Sequence, residues 1–230
     1  MKSHDQPGGR WSPRLPRRQF VQGAVIAASG ATLPTIALAD AQSVVHLSQL
    51  AQQATPTDPR RYAPVALTQA DYDALFALMN RIIPRDDLGP GAGDAGAAIF
   101  LDRDLAGYDA ALLPLFQAGL ASLAEAAGPG GVPSLSEAAL DTLLADLASG
   151  SVANAPDGFF GLLLAYTRIG MFSDPVHGGN IDFAGWDLLQ FAGIKLAWTE
   201  AEQAFDAKVT PEHKSVADFG GTATGAANHV

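Results

Sequence analysis

From Thr68 to Gly170 apolar residues recur at helical spacing, and glycine or proline cuts each run short. That pattern admits little besides short amphipathic helices joined by turns, because strands need a period of two. Thr68 followed three residues later by Asp71 is a capping-box pattern, and Tyr72, Leu75, Phe76, Met79, Ile82 and Ile83 then form one apolar face. Pro84 ends that helix, and the run Gly89-Pro90-Gly91-Ala92-Gly93 continues no element. Asp94 is placed to cap a short helix reaching about Leu105, and a further apolar helix spans about 110–126 before Gly128-Pro129-Gly130-Gly131. Ser136 reads as the next N-cap, with Leu135 and Leu140 as a staple and Leu143, Leu144 and Leu147 continuing the face to Gly150. Pro156 opens a helix through Phe159, Phe160, Leu163, Leu164, Thr167 and Gly170 that is apolar nearly all round, the profile of a central buried helix. Thr199 with Glu202 predicts a last helix to about Lys208. No segment alternates like a strand and no repeat is evident. The reading is one all-α domain over 67–209, with 40–66 as an extended arm or linker and 210–230 as a mobile tail.

Composition narrows the function. The 230 residues hold no cysteine, which excludes disulfides, thiolate zinc sites, Cys-ligated iron–sulfur clusters and thioether-bound haem in this chain. Fourteen basic against twenty-four acidic residues give a formal charge of −10, so no nucleic-acid partner is expected.

Residues 1–39 differ from the rest. Lys2, Arg10, Arg14, Arg17 and Arg18 lie there with Asp5 as the single acid, ahead of a weakly apolar stretch from Phe20 to Leu38. Gln22, two glycines and Pro34 interrupt that stretch, whereas a spanning helix needs about 20 consecutive apolar residues. Ala37-Leu38-Ala39 has the small-x-small form of a cleavage site, so 1–39 reads as a signal peptide. Arg17-Arg18-Gln19-Phe20-Val21 resembles the twin-arginine signature, with Pro16 and Gln22 departing from it. That route implies the twin-arginine translocase as a partner, export in the folded state and a periplasmic location. Without residues 1–39, nine basic and twenty-three acidic residues remain, a formal charge of −14.

Met171 to Lys195 stands apart. It is long, carries Trp186 with Trp198 just beyond, and shows little helical periodicity, the profile of a functional loop. Asp174-Pro175 starts a turn, while Gly178, Gly179 and Asn180 tolerate positive φ. Trp186 has the rigid area and single donor of a buried anchor or an interface residue. Asp174, His177 and Asp182 are also residue types that bind metal or exchange protons, the basis of an alternative reading as a free-standing, hydrolase-like exported enzyme. A lone His lacks the second His or Cys of a zinc set, and the same groups serve equally as a turn cap and a carbonyl partner. Gly91 to Gly96 fits G-x-G-x-x-G, but a helix ending at Ile83-Pro84 precedes it where the dinucleotide fingerprint needs a strand. No G-x-S-x-G, H-E-x-x-H or P-loop occurs.

The segment Gly170-Met171-Phe172-Ser173-Asp174-Pro175-Val176-His177-Gly178-Gly179-Asn180, followed by Gly185-Trp186, resembles the signature of the gluconate 2-dehydrogenase subunit 3 family. Its usual form reads G-F-x-x-D-P-x-Y-G-G-N, then G-W and F-P-G; His177 stands in place of the frequent Tyr, and Phe191-Ala192-Gly193 in place of F-P-G. Ile82-Ile83-Pro84-Arg85 also looks like the family's first half. The resemblance implies a small, non-catalytic subunit of a periplasmic dehydrogenase complex, held peripherally at the inner membrane in some cases. Its large partner would bind FAD and be of the glucose–methanol–choline type, often with a multihaem cytochrome c as third subunit. The small subunit would hold no cofactor, supply the export signal and aid folding or FAD loading. Asp174, Pro175, His177, Gly178, Gly179, Asn180 and Trp186 would then form the partner-binding loop, and Arg17, Arg18 and Phe20 the export signal.

Overall fold

The computed structural model describes residues 56–219, so the signal-peptide reading of residues 1–39, with Arg17, Arg18 and Phe20, lies outside the described residues. Among the described residues there are six α-helices and no strand, in agreement with the all-α expectation. They are α1 (Gln69–Ile82), α2 (Ala97–Ala106), α3 (Leu113–Ala127), α4 (Glu137–Ala148), α5 (Phe159–Phe172) and α6 (Ala184–Leu189).

Local chemistry sets their ends. The Thr68 hydroxyl accepts the Asp71 N–H at 3.1 Å and donates to the Asp71 carboxylate at 2.7 Å, opening α1. Tyr72, Leu75, Leu78 and Met79 form its buried stripe, and the helix stops before Ile83-Pro84. Ser136 caps α4 by accepting the Ala139 N–H, while α3 stops at Gly128, with φ +74°. Arg81 on α1 reaches Asp141 on α4 through two nitrogens, at 2.6 and 2.5 Å, a fork that sets the two helices in register.

α5 packs against every other helix, as its all-round apolarity predicted. The Phe116 ring of α3 meets Phe159 and Tyr166 of α5 edge-on, with centroids 5.5 and 5.6 Å apart. The most buried helix is nevertheless α2, read from the sequence only as a short element. Eight of its ten residues are buried, Asp102 and Arg103 among them. α2 begins later than expected, at Ala97 after a left-handed Gly96. Asp94 caps nothing there: it pairs with Arg60 and Arg85, each at 3.2 Å.

Asp102 explains the segment before α1. Its carboxylate has no exposed surface and accepts four bonds: Tyr62 Oη at 2.8 Å and the N–H groups of Val65, Ala66 and Leu67 at 2.7, 3.1 and 2.8 Å. Tyr72 Oη adds a bond to the Pro59 carbonyl. The described end of the 40–66 arm is therefore fastened along α2, by contacts that no local pattern announces.

One expectation for the C-terminal part is corrected. The capping box at Thr199 forms, with the Thr199 N–H on Glu202 at 2.9 Å and the Glu202 N–H on Thr199 Oγ1 at 3.3 Å. No helix follows it, and residues 200–206 make turns instead. A cap lowers the cost of starting a helix, but a short helix in water needs an apolar face to bury, and Phe205 is fully exposed. Over its described part, the segment after residue 210 makes backbone contacts with the chain after α6. The Glu212 N–H bonds Ala192 O, the Ile194 N–H bonds Lys214 O, and Ser215 is buried.

Candidate functional site

The segment after α5 is a knot of hydrogen bonds built by a few residue types. Ser173 closes α5, and Pro175 supplies no N–H to continue it. Asp174 Oδ1 accepts the Val176 N–H at 3.0 Å and so caps the 3₁₀ turn Pro175–His177, which exits through Gly178 at φ +95°. Asn180 is wholly buried in the left-handed region, at φ +48°. Its N–H binds Gly170 O at 3.0 Å, its Nδ2 donates to Ser173 O at 2.8 Å, and its Oδ1 accepts the Gly185 N–H at 2.7 Å. One residue thus ties together the last turn of α5, through its backbone N–H, and, through its side chain, the residue that closes α5 and the first turn of α6.

Backbone proximity makes the glycines necessary. A Cβ at Gly179 would overlap the Gly170 carbonyl oxygen, and one at Gly185 would overlap that of Met171. The chain crosses the end of α5 twice at backbone contact, which no larger residue permits. Trp186 then lies across the junction, 5% exposed, with Nε1 donating to Phe172 O at 2.9 Å. On its other side the segment rests on the glycine loop before α2, through the Ile181 N–H on Ala95 O at 2.9 Å. That loop, which fits a dinucleotide fingerprint by spelling alone, is a floor for this knot.

A C-terminal strap, residues 212–219, closes over it. Asp174 Oδ2 accepts the Val216 N–H at 2.9 Å, so both carboxylate oxygens of Asp174 are engaged by backbone. His213 stacks on Phe183, with centroids 4.7 Å apart and planes 8° from parallel, and meets Asp187 at 2.7 Å. Lys195 reaches Glu202 at 2.6 Å and Glu212 at 2.7 Å. Those bonds hold both carboxyls below the usual range, with Glu202 at about 2, and push the lysine up.

The residues named from the sequence fall into two groups. Gly178, Gly179, Asn180 and Trp186 are buried within the chain's own fold, with Asp174 and Pro175 half-buried beside them. His177 and Asp182 are exposed, and the His177 ring stands edge-on to Phe100 at 6.4 Å. A proton relay through Asp174 would have to release it from Val176 and Val216, the two amides it holds in place.

Three features escaped the sequence reading. Asp102 was one, and its signal was an acid set among Ala98, Ile99 and Leu105 on an apolar face. A second is a buried acidic corner, where the Tyr166 hydroxyl donates to Asp109 and where burial, then the Asp109 charge, push the Asp104 carboxyl up to about 7. A third is a set of exposed large apolar side chains just after the knot: Leu189, Phe191, Leu196, Trp198 and Phe205. Among the described residues no group of three or more His, Asp or Glu side chains is arranged to hold a metal ion.

No curated protein and no solved structure matches the chain. A family model does, over residues 69–193, and its description is gluconate 2-dehydrogenase subunit 3.

Proposed function

The chain belongs to the gluconate 2-dehydrogenase subunit 3 family, and from that premise we propose that it is the accessory small subunit of a periplasmic, FAD-dependent dehydrogenase complex. In this reading the flavin and the oxidised substrate belong to a large glucose–methanol–choline-type subunit. A cytochrome c subunit, where present, would take the electrons onward. The small subunit carries the twin-arginine leader for both and holds the flavoprotein in a form that can cross the membrane folded.

The observation that carries the proposal is the family match across α1 to the end of the 174–193 segment, which includes every α-helix among the described residues. The inward use of the signature supports it. Asp174 and Asn180 spend their side-chain polar groups on backbone partners, which is how a rigid scaffold is built, whereas a reacting centre needs groups free to exchange protons. Rigidity suits a subunit whose contact with a large partner must survive transit, because a preorganised surface loses less entropy on docking.

The test is export of the pair. The tagged full chain is purified from the periplasm of its native host, and the absorption spectrum is recorded beside a denaturing gel. A larger band with flavin absorbance is expected, and replacing Arg17 and Arg18 together by Lys should leave that flavoprotein in the cytoplasm. A single colourless band, or flavoprotein export indifferent to the two arginines, would overturn the reading.

A further inference from the structure

Ten large apolar side chains are exposed among the described residues, and five of them fall within residues 189–205. The others, such as Leu88 and Tyr108, are single residues on separate elements, which any soluble surface carries. Leu196 is 80% exposed and Phe205 fully so, while Leu189, Phe191 and Trp198 each show between 40 and 50%. Taking about 150–250 Å² for each large side chain, the five present on the order of 600 Å². Summed along this one segment, that compares with the roughly 300–600 Å² of the largest patch on an ordinary monomer, and approaches the roughly 800 Å² that each partner contributes to a standard interface.

The segment is also held in shape. Phe191 packs against buried Trp186, with centroids 4.8 Å apart, and Lys195 lies over the Trp198 ring at 5.3 Å. The same ammonium binds Glu202 and Glu212, and Gln203 Nε2 donates to Trp198 O at 2.9 Å. An aromatic surface braced by ion pairs, without an apolar floor of its own beneath Phe205, resembles half of an interface core. Charge points to what covers it. Over residues 187–214, Asp187, Glu200, Glu202, Asp206 and Glu212 stand against Lys195, Lys208 and Lys214; Asp187 pairs with His213, and Glu202 and Glu212 pair with Lys195, so the exposed excess is carried by Glu200 and Asp206. The complementary surface is therefore apolar at its centre and basic at its rim.

We infer that the large flavoprotein subunit docks on residues 189–205, through Leu196, Trp198 and Phe205, and that the Asp174–Trp186 knot is the foundation beneath that contact. The inference rests on the accessory-subunit reading and assigns its interface. A second copy of this chain fits less well, because it would face the acidic rim with another acidic rim.

The test uses the full chain co-expressed with the flavoprotein that the wild-type chain brings down, identified by flavin spectrum and mass. Leu196→Ser combined with Phe205→Ser, and separately Trp198→Ala, should each reduce flavoprotein recovery at least tenfold. Circular dichroism and thermal unfolding of the free chain should stay unchanged, since these side chains support no core. Glu200→Lys with Asp206→Lys should slow association most at low salt. Leu88→Ser, at an exposed apolar site elsewhere, should change nothing. Undiminished recovery with the Leu196/Phe205 double variant would overturn the inference. So would a double variant that abolishes a dimer of this chain, or binding to anionic lipid vesicles, while keeping its flavoprotein. Failure of the wild-type chain to bring down any flavoprotein would instead remove the accessory-subunit reading, and this assignment with it.

Discussion

The arm before α1 and the strap after residue 211 use one device at two depths. Each is an irregular segment pinned by a carboxylate that accepts backbone N–H from it, three groups in the arm and one in the strap. In the arm, Asp102 is wholly buried and gathers Val65, Ala66, Leu67 and the Tyr62 hydroxyl. In the strap, half-buried Asp174 holds Val216, helped by a His213–Asp187 pair whose side chains are each about half exposed. A buried acceptor cannot be replaced by water, whereas a half-exposed one can, so the arm should open only with the whole domain and the strap on its own.

That contrast can be broken at several points, from the largest effect to the smallest. Asp102→Ala strands three amides and a phenol away from water, and should cost on the order of 4 kcal/mol in urea unfolding of the full chain. A cost below about 1 kcal/mol would mean that the arm contributes little to the fold. Asp104→Asn should show a pH-dependent gain. Because folding raises this carboxyl to about 7, the ionised form opposes the folded state. That opposition is absent below about pH 4, where the unfolded group also keeps its proton, and complete above about pH 7. The variant should therefore match wild type at pH 4 and melt roughly 5 °C higher at pH 8; an equal gain at both would point to packing instead. Asp174→Ala should cost about 1–2 kcal/mol and expose the chain between 205 and 219 to protease while the helices persist. Hydrogen exchange sharpens this, since the Leu67 amide should exchange only by global unfolding and the Val216 amide by a cheaper route. His213→Ala removes an exposed pair and a ring stack, and should move stability by less than about 1 kcal/mol.

The helices were legible wherever a signal and its consequence were local. Thr68 and Ser136 cap the helices they were read to cap, and Pro84 and Gly128 stop theirs. Thr199 shows the limit: the box closes, but the helix it advertises has no apolar face to bury, and only tertiary structure could reveal that. The unusual segment around Asp174 was also legible, down to its turn and the left-handed Asn180. Its inward orientation was not, because the partners of Asn180 and Trp186 are backbone carbonyls at the end of α5 and just after it and an N–H of α6, and backbone groups are the same in every sequence. Asp102 was invisible for a related reason, since its donors lie 35 to 40 residues away.

Left-handed backbone at residues other than glycine is concentrated near the knot: Asn180, Asp182, Phe183 and Gln190, with φ between +48° and +59°. Asn180 is repaid by its three bonds and Phe183 by its stack on His213. Asp182 and Gln190 are exposed and carry roughly 1 kcal/mol of conformational cost each. In a library selected for heat tolerance, where glycine is ordinarily depleted, these two sites should run the other way. Glycine should rise at 182 and 190, which flank α6, and at no position within that helix.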